Sequence, residues 1–241
     1  MFLSVIYKMS EIKSESELRK KCVIFGLEDV LVPGKLEENV DLEAVFGILQ
    51  NLKGLEERFA RFRFFVVSGY SIAEGNKRLE QHGLKKFVQE DRVFFVNQEY
   101  LEGREEVDKK LYEKNIAQNP EFKDEYFKQK VIEDIAAKFD YAKEDMVLIG
   151  HDVWTEGYYT FRFSQIEFAL IRSAHASLGE KKEDEIKNLT YINRTWEDIV
   201  KLIKGEFPKP DYALLQKFFL DKMGEKLFEG TKVGALKKIS G

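Results

Sequence analysis

Six short apolar runs, rich in β-branched and aromatic residues, alternate with longer stretches of helical periodicity, and this alternation restricts the fold more than any other feature. The runs occupy 22–25 (CVIF), 62–67 (FRFFVV), 92–96 (RVFFV), 146–150 (MVLIG), 166–171 (IEFALI) and, with a weaker pattern, 189–192 (LTYI). Each is bounded by polar or helical sequence. Strand and helix in succession build βαβ units, so the expected fold class is α/β, with a mostly parallel sheet and helices packed on it. Between the first two runs, Leu42, Val45, Phe46, Leu49 and Leu52 recur at three- and four-residue spacing, the stripe of an amphipathic helix. Phe127, Val131, Ile135 and Phe139 form a second stripe in DEYFKQKVIEDIAAKF, whose carboxyl end leads into the 146–150 run.

Two segments stand outside the alternation. Residues 99–125 are highly charged and read as a small helical insertion with a break near Asn119-Pro120, a solvated connector more readily than a lid. From Gly205 the chain passes FPKPD and enters YALLQKFFLDKMGEKLF, where Leu214, Leu215, Phe218 and Phe219 need burial on the sheet or on a second copy. The expected organisation is an α/β core over 1–204, carrying the insertion, and a C-terminal helical tail over 205–241. A chain of 241 residues can build a sizeable core without disulfides, and the single cysteine, Cys22, reads as a small buried hydrophobe. The net charge of −4 argues against a nucleic-acid partner. No apolar run has the length of a membrane span, and MFLSVIYKMSEIKSESELRK lacks the basic lead and long apolar part of a signal peptide. Cytoplasmic residence, with neither nucleic acid nor membrane as partner, is the expectation.

In a parallel sheet the loops that follow the strands share one edge, and α/β proteins place their chemistry there. That edge should gather Gly26 to Asp29 from CVIFGLEDVLVPG, Ser68 and Gly69 from FFVVSGYS, and Gly150 to Asp152 from MVLIGHDVWTEGYYT. Taken in order, these loops resemble the four motifs of the haloacid dehalogenase superfamily, over about Cys22 to Ile171. The resemblance implies a Rossmann-like three-layer core and magnesium-dependent phosphoryl transfer. In that family an Asp after the first strand attacks phosphorus, a second Asp handles the leaving-group proton, and the metal neutralises phosphate charge.

The motifs depart from the family where the chemistry is densest. Gly26 stands in the place of the missing nucleophile, and Glu28, one methylene longer than Asp, takes the acid/base place. Asp29, three residues beyond Gly26, is too far along to substitute, because rate falls steeply with misplacement. Ser68 fits the hydroxyl that binds a phosphoryl oxygen, with the Gly69 amide beside it. Lys128 fits the charge-balancing lysine by spacing, with Lys130 as the fallback. In the last motif His151 holds the usual acidic place, Asp152 follows, and Thr155 takes the next acidic place with Glu156 beside it. His151, Asp152 and Glu156 are the candidate metal ligands, a set that suits Zn or Mn better than Mg. Adjacent residues at a strand end point apart, which weighs against a purpose-built metal site. His82 and His175 read as exposed.

The leading expectation is therefore a haloacid dehalogenase-like protein without aspartyl-phosphate catalysis. It would be a binding or regulatory protein with a relic phosphate pocket for a phosphate-containing small molecule, with a divalent metal (Mg, Mn or Zn) as the one cofactor its residues suggest. One alternative is a phosphohydrolase dependent on a divalent metal (Mg, Mn or Zn), in which Glu28 or Asp152 activates water while Ser68 and Lys128 hold phosphate. Another is a structural homodimer built on the tail helix.

Overall fold

The computed structural model describes residues 12–34, 40–96, 102–118, 123–172, 189–211, 213–215, 217–218 and 221. All six apolar runs form strands, with ends moved by no more than one residue: β1 Cys22–Gly26, β2 Arg63–Ser68, β3 Val93–Phe95, β4 Met146–Gly150, β5 Glu167–Ile171 and β6 Thr190–Ile192. They make one sheet in the order β3-β2-β1-β4-β5-β6, and every pairing is parallel. The sheet therefore winds outward in both directions from β1, leaving a switch point between β1 and β4 where such folds open a crevice. Register sets what meets there. Gly26 lies opposite Val67, and Phe25 opposite Ile149, so β1, β2 and β4 end side by side.

Successive residues of a strand face opposite sides, and the sheet separates two apolar clusters accordingly. Val23 and Phe25 join the cluster under α1 (Leu42–Arg58) and a short helix near the end of the core, whereas Cys22 and Ile24 join the one under the helix at Lys123–Phe139. The result is a three-layer α/β core. Helix α1 starts at Asp41, whose carboxylate accepts from the amides of Glu43 and Ala44, and buries Val45, Leu49 and Leu52. Helix α2 (Ile72–Gln81) is capped by Ser71, which accepts from the Glu74 amide. Next come α3 (Glu106–Gln118), α4 (Lys123–Phe139), the short α5 (Tyr158–Arg162) and α6 (Trp196–Lys204). Helix α6 is capped by Thr195 and closed by Gly205 at φ 68, a left-handed position that favours glycine.

The charged insertion contributes α3 and the start of α4, and the two are tied by Arg104, which reaches Asp134 at 2.6 and 3.1 Å. Asn119-Pro120 lies outside the described residues, as do His175 and Phe219. In the tail, Leu215 is buried in the cluster on the α4 face, Phe218 packs against it, and Leu214 is 55% exposed. His82 is half-buried rather than exposed, because it ends α2 where the chain folds back through Gly83 at φ 67. No described helix is long and apolar enough to cross a membrane.

Candidate functional site

The chain stays beside β2 for one residue after β1, with the Leu27 amide bonded to the Val67 carbonyl at 3.0 Å, and then turns sharply through 28–34. Asp29 sits inside that turn in the left-handed region (φ 56) and is 2% exposed. Its amide donates to the Val32 carbonyl at 2.8 Å and its Oδ1 accepts from the Gly34 amide at 2.7 Å. A Cβ at Gly34 would fall 2.4 Å from Asp29 Oδ2, so this close approach admits only glycine. Arg194 secures the turn from outside by donating to the carbonyls of Val30 and Asp29. Asp29 is thus a component of the turn.

Glu28 points the other way, onto the end of β2. Its Oε1 accepts from Ser68 Oγ at 2.7 Å and from the Gly69 amide at 3.1 Å. The two donors expected to hold a phosphoryl oxygen hold a carboxylate of the chain itself. Tyr70 lies beside them; burial pushes its hydroxyl pKa up, and Glu28 pushes it further. Arg78 stacks over the Tyr70 ring at 4.6 Å and donates to the Pro33 carbonyl at 3.0 Å, fastening the 28–34 turn to α2.

The second carboxylate comes from beyond β4. After Gly150 the chain makes a π-helical turn, Val153–Gly157, in which the Gly157 amide reaches the Asp152 carbonyl at 3.1 Å. This turn carries Glu156 back over the strand ends, where it is 1% exposed. Glu156 Oε2 accepts from the amides of His151 (2.8 Å) and Asp152 (3.2 Å), and Oε1 lies 3.1 Å from Lys128 Nζ. A Cβ at Gly26 would come within 3.0 Å of Glu156 Oε1, and one at Gly150 within 2.4 Å of Oε2. The Glu156 carboxylate therefore fills the space between the ends of β1 and β4.

Lys128 completes the cluster. It is 4% exposed and shares its ammonium between Glu156 and Glu125, the latter at 2.8 Å and three residues earlier on the same face of α4. Burial opposes the lysine charge, but the two carboxylates hold its pKa well above the ordinary value. Burial likewise opposes the Glu156 charge, and Lys128 and His151 overcome it, holding the carboxyl well below the usual range. Glu125 has the weaker share: burial pushes it up to about 7 against the pull of Lys128. Its Oε2 is buried without a hydrogen-bond partner among the described residues, which is where a proton can sit.

His151 Nδ1 lies 3.3 Å from Glu156 Oε2, at ion-pair rather than hydrogen-bond geometry, and Nε2 lies 3.7 Å from Asp29 Oδ2. Burial lowers the imidazole pKa, but Glu156 outweighs it and carries it from 6.5 to about 9. A histidine raised on folding contributes stability that is complete below its unfolded value and lost as pH rises through the folded one. Glu125 has the same sign, because a raised carboxyl loses its contribution as pH rises through about 7. The melting temperature is expected to fall from about pH 4.5, where Glu125 starts to lose its contribution, to about pH 9, where that of His151 is gone, by an amount equivalent to roughly 2–3 kcal/mol, and His151→Gln should remove the alkaline part of that slope. Thermal scans at several pH values check this; a flat profile in the parent protein would contradict it.

The edge thus brings together Gly26, Glu28, Ser68, Gly69, Lys128, His151 and Glu156. Asp152 is adjacent but turned onto its own loop, its Oδ1 accepting from the Thr155 amide at 3.3 Å. Lys130 is spent on Glu133 at 2.6 Å. Among the described residues no three His, Cys, Asp or Glu side chains are arranged to hold a metal. The donor set agrees with that: Glu28 is held by hydrogen-bond donors, Glu156 by an ammonium, and Gly26 brings no ligand. Arranged this way, the described residues offer no ready set of ligands for a divalent metal. Sequence reasoning missed Glu125 and Tyr70. The signal for Glu125 was its spacing from Lys128 on a helix that the periodicity already marked.

Strand order, the switch point beside β1 and the strand-end motifs in sequence at one edge decide the fold type. The chain has a Rossmann-like three-layer α/β fold. No family model and no curated protein matches it. Among solved structures it is similar to the cobalt-bound form of the deoxy-D-mannose-octulosonate 8-phosphate phosphatase from Haemophilus influenzae, at 14% identity and a TM-score of 0.43, covering 78% of this chain and 90% of that one. It is also similar to a haloacid dehalogenase-like hydrolase protein from Bacillus subtilis, at 14% identity and a TM-score of 0.42, covering 86% and 98% respectively.

Proposed function

We propose that this haloacid dehalogenase-like chain is a binding or regulatory protein that does not break phosphate esters, and that its old phosphate pocket is closed by its own carboxylates. The observation that carries this reading is the end of β1. The position from which a nucleophile would attack is Gly26, and the space its side chain would need is taken by Glu156, whose Oε1 lies 3.0 Å from the Cβ site. Glu28 strengthens the reading by occupying Ser68 Oγ at 2.7 Å and the Gly69 amide at 3.1 Å, the donors an incoming phosphoryl group would use. An anion that enters has to displace a charge-assisted pair of hydrogen bonds and then sit near Glu28, a like charge.

A panel of phosphate monoesters assayed with Mg, Mn and Zn in parallel tests this. The expected result is no phosphate release above the uncatalysed background and no trapped phosphoenzyme. Metal-dependent turnover that vanishes in Glu28→Gln or Asp152→Asn would overturn the reading in favour of a phosphohydrolase in which that carboxylate activates water.

A further inference from the structure

We propose that a cleft at the opposite, amino-terminal edge of the sheet binds small organic anions that carry an aromatic ring. The cleft encloses about 850 Å³, within the range of small-molecule sites. It lies where the chain enters β1, β4 and β5, and it is far from the strand-end loops because parallel strands put their starts and ends on opposite edges. Phe161 and Phe207 line it, the first belonging to the apolar cluster on the α4 face and the second packed against the cluster on the α1 face. Its wall is fixed: the amides of Arg19 and Lys20 both donate to the Ile203 carbonyl, at 2.9 and 2.8 Å. Gly205 approaches Arg19 so closely that a Cβ would come within 3.0 Å of the Arg19 Cβ.

The charge around this cleft is unbalanced in a way the whole chain, at −4, is not. Of its carboxylates, Glu167 is committed to Lys20 at 2.7 Å and Asp145 to Lys21 at 3.0 Å, which leaves Glu144. Of its cations, Arg19, Lys143 and Lys209 have no carboxylate partner among the described residues, Lys143 being bonded to the amide oxygen of Gln165 at 3.1 Å. Three uncommitted cations against one uncommitted acid, beside two aromatic rings, suit a ligand that offers a flat apolar face and an anionic group together. Cations and phenyl rings also complement a planar aromatic directly. Inorganic ions would leave the apolar wall unused, and a neutral ring would leave the cations unused.

Calorimetric titration of the full chain with 2-naphthalenesulfonate tests the proposal, with 2-naphthol and inorganic sulfate as the half-ligands. The sulfonate is expected to bind with a dissociation constant of about 1 mM or tighter, and each half-ligand at least about tenfold more weakly. Lys143→Glu with Lys209→Glu, both exposed and therefore tolerable in the fold, should weaken the sulfonate at least about tenfold. Lys53→Glu with Lys77→Glu, the same change of net charge on exposed positions of α1 and α2, should leave it unchanged. Equal loss in both pairs, sulfate binding as tight as the sulfonate, or no sulfonate binding at a few millimolar would each overturn the proposal.

Discussion

Replacing Lys128 by alanine is expected to cost about 3–5 kcal/mol of folding stability, the largest effect of any single side chain at the sheet edge. The ammonium is 4% exposed and lies 2.8 Å from Glu125 and 3.1 Å from Glu156, so its removal leaves two carboxyl groups facing each other out of water. Surface pairs, by contrast, are worth little more than a few tenths of a kcal/mol. Urea unfolding at neutral pH measures the loss, and acid provides the internal control. The variant should recover part of its deficit as pH falls and the two carboxyls take up protons, because the missing charge is no longer needed. Neutralising the whole cluster (Glu125→Gln, Lys128→Met and Glu156→Gln together) should lie much closer to the parent protein, since breaking a buried pair costs more than replacing it. A loss below about 1 kcal/mol for Lys128→Ala would show the cluster to be solvated.

Gly26→Asp writes back the carboxylate that phosphoryl transfer uses, and it is expected to destabilise the protein by about 3 kcal/mol or more without conferring activity. The backbone is not the obstacle, for Gly26 lies within an ordinary strand. The obstacle is Glu156, whose Oε1 would lie 3.0 Å from the new Cβ. Two carboxylates about 4 Å apart repel by about 4 kcal/mol at an effective dielectric constant of about 20. Adding Glu156→Gln should return most of the stability, and that pair is the background in which magnesium-dependent turnover would reveal a surviving site. A single Gly26→Asp variant as stable as the parent would mean that Glu156 swings aside easily and does not fill the strand-end gap.

The two predictions mark the limit of what the sequence discloses. Strands were legible because parallel strands buried on both faces are continuous apolar runs, and α1 and α4 because each shows a long stripe at helical spacing. Helix α2 was not read, since it buries only Gly75 and Leu79; its signal is the cap, Ser71 followed by Glu74. Helix α6 is nine residues long, too short for its periodicity to stand out, although Thr195 caps it in the same way. At the site, Gly26, Glu28, Ser68, Gly69 and His151 were legible from strand ends, whereas Lys128 and Glu156 were reached only through the family motifs the loops resemble. Their partners were not legible. Whether Glu28 faces solvent or turns onto Ser68, and whether Glu156 reaches Lys128 or a metal, depends on side-chain direction after a turn, and no spacing rule encodes that. The tail shows the same division: its apolar stripe announced burial, yet only the structure tells that Leu215 is buried and Leu214 is 55% exposed.

The π-helical turn at Val153–Gly157 makes the position of Glu156 a matter of counting. Such a turn holds one residue more than an α-helical turn spanning the same bond, and π-bulges are concentrated where proteins function. Because each residue of a helix rotates the next by about 100°, losing or gaining one residue between Gly150 and Glu156 would swing the carboxylate away from Lys128 and reopen the gap at Gly26. Changes of residue type at Thr155 leave the count intact. Segment length is thus what keeps this edge of the sheet closed, and chains that differ here by one insertion or deletion can differ in chemistry while their strand-end residues read alike.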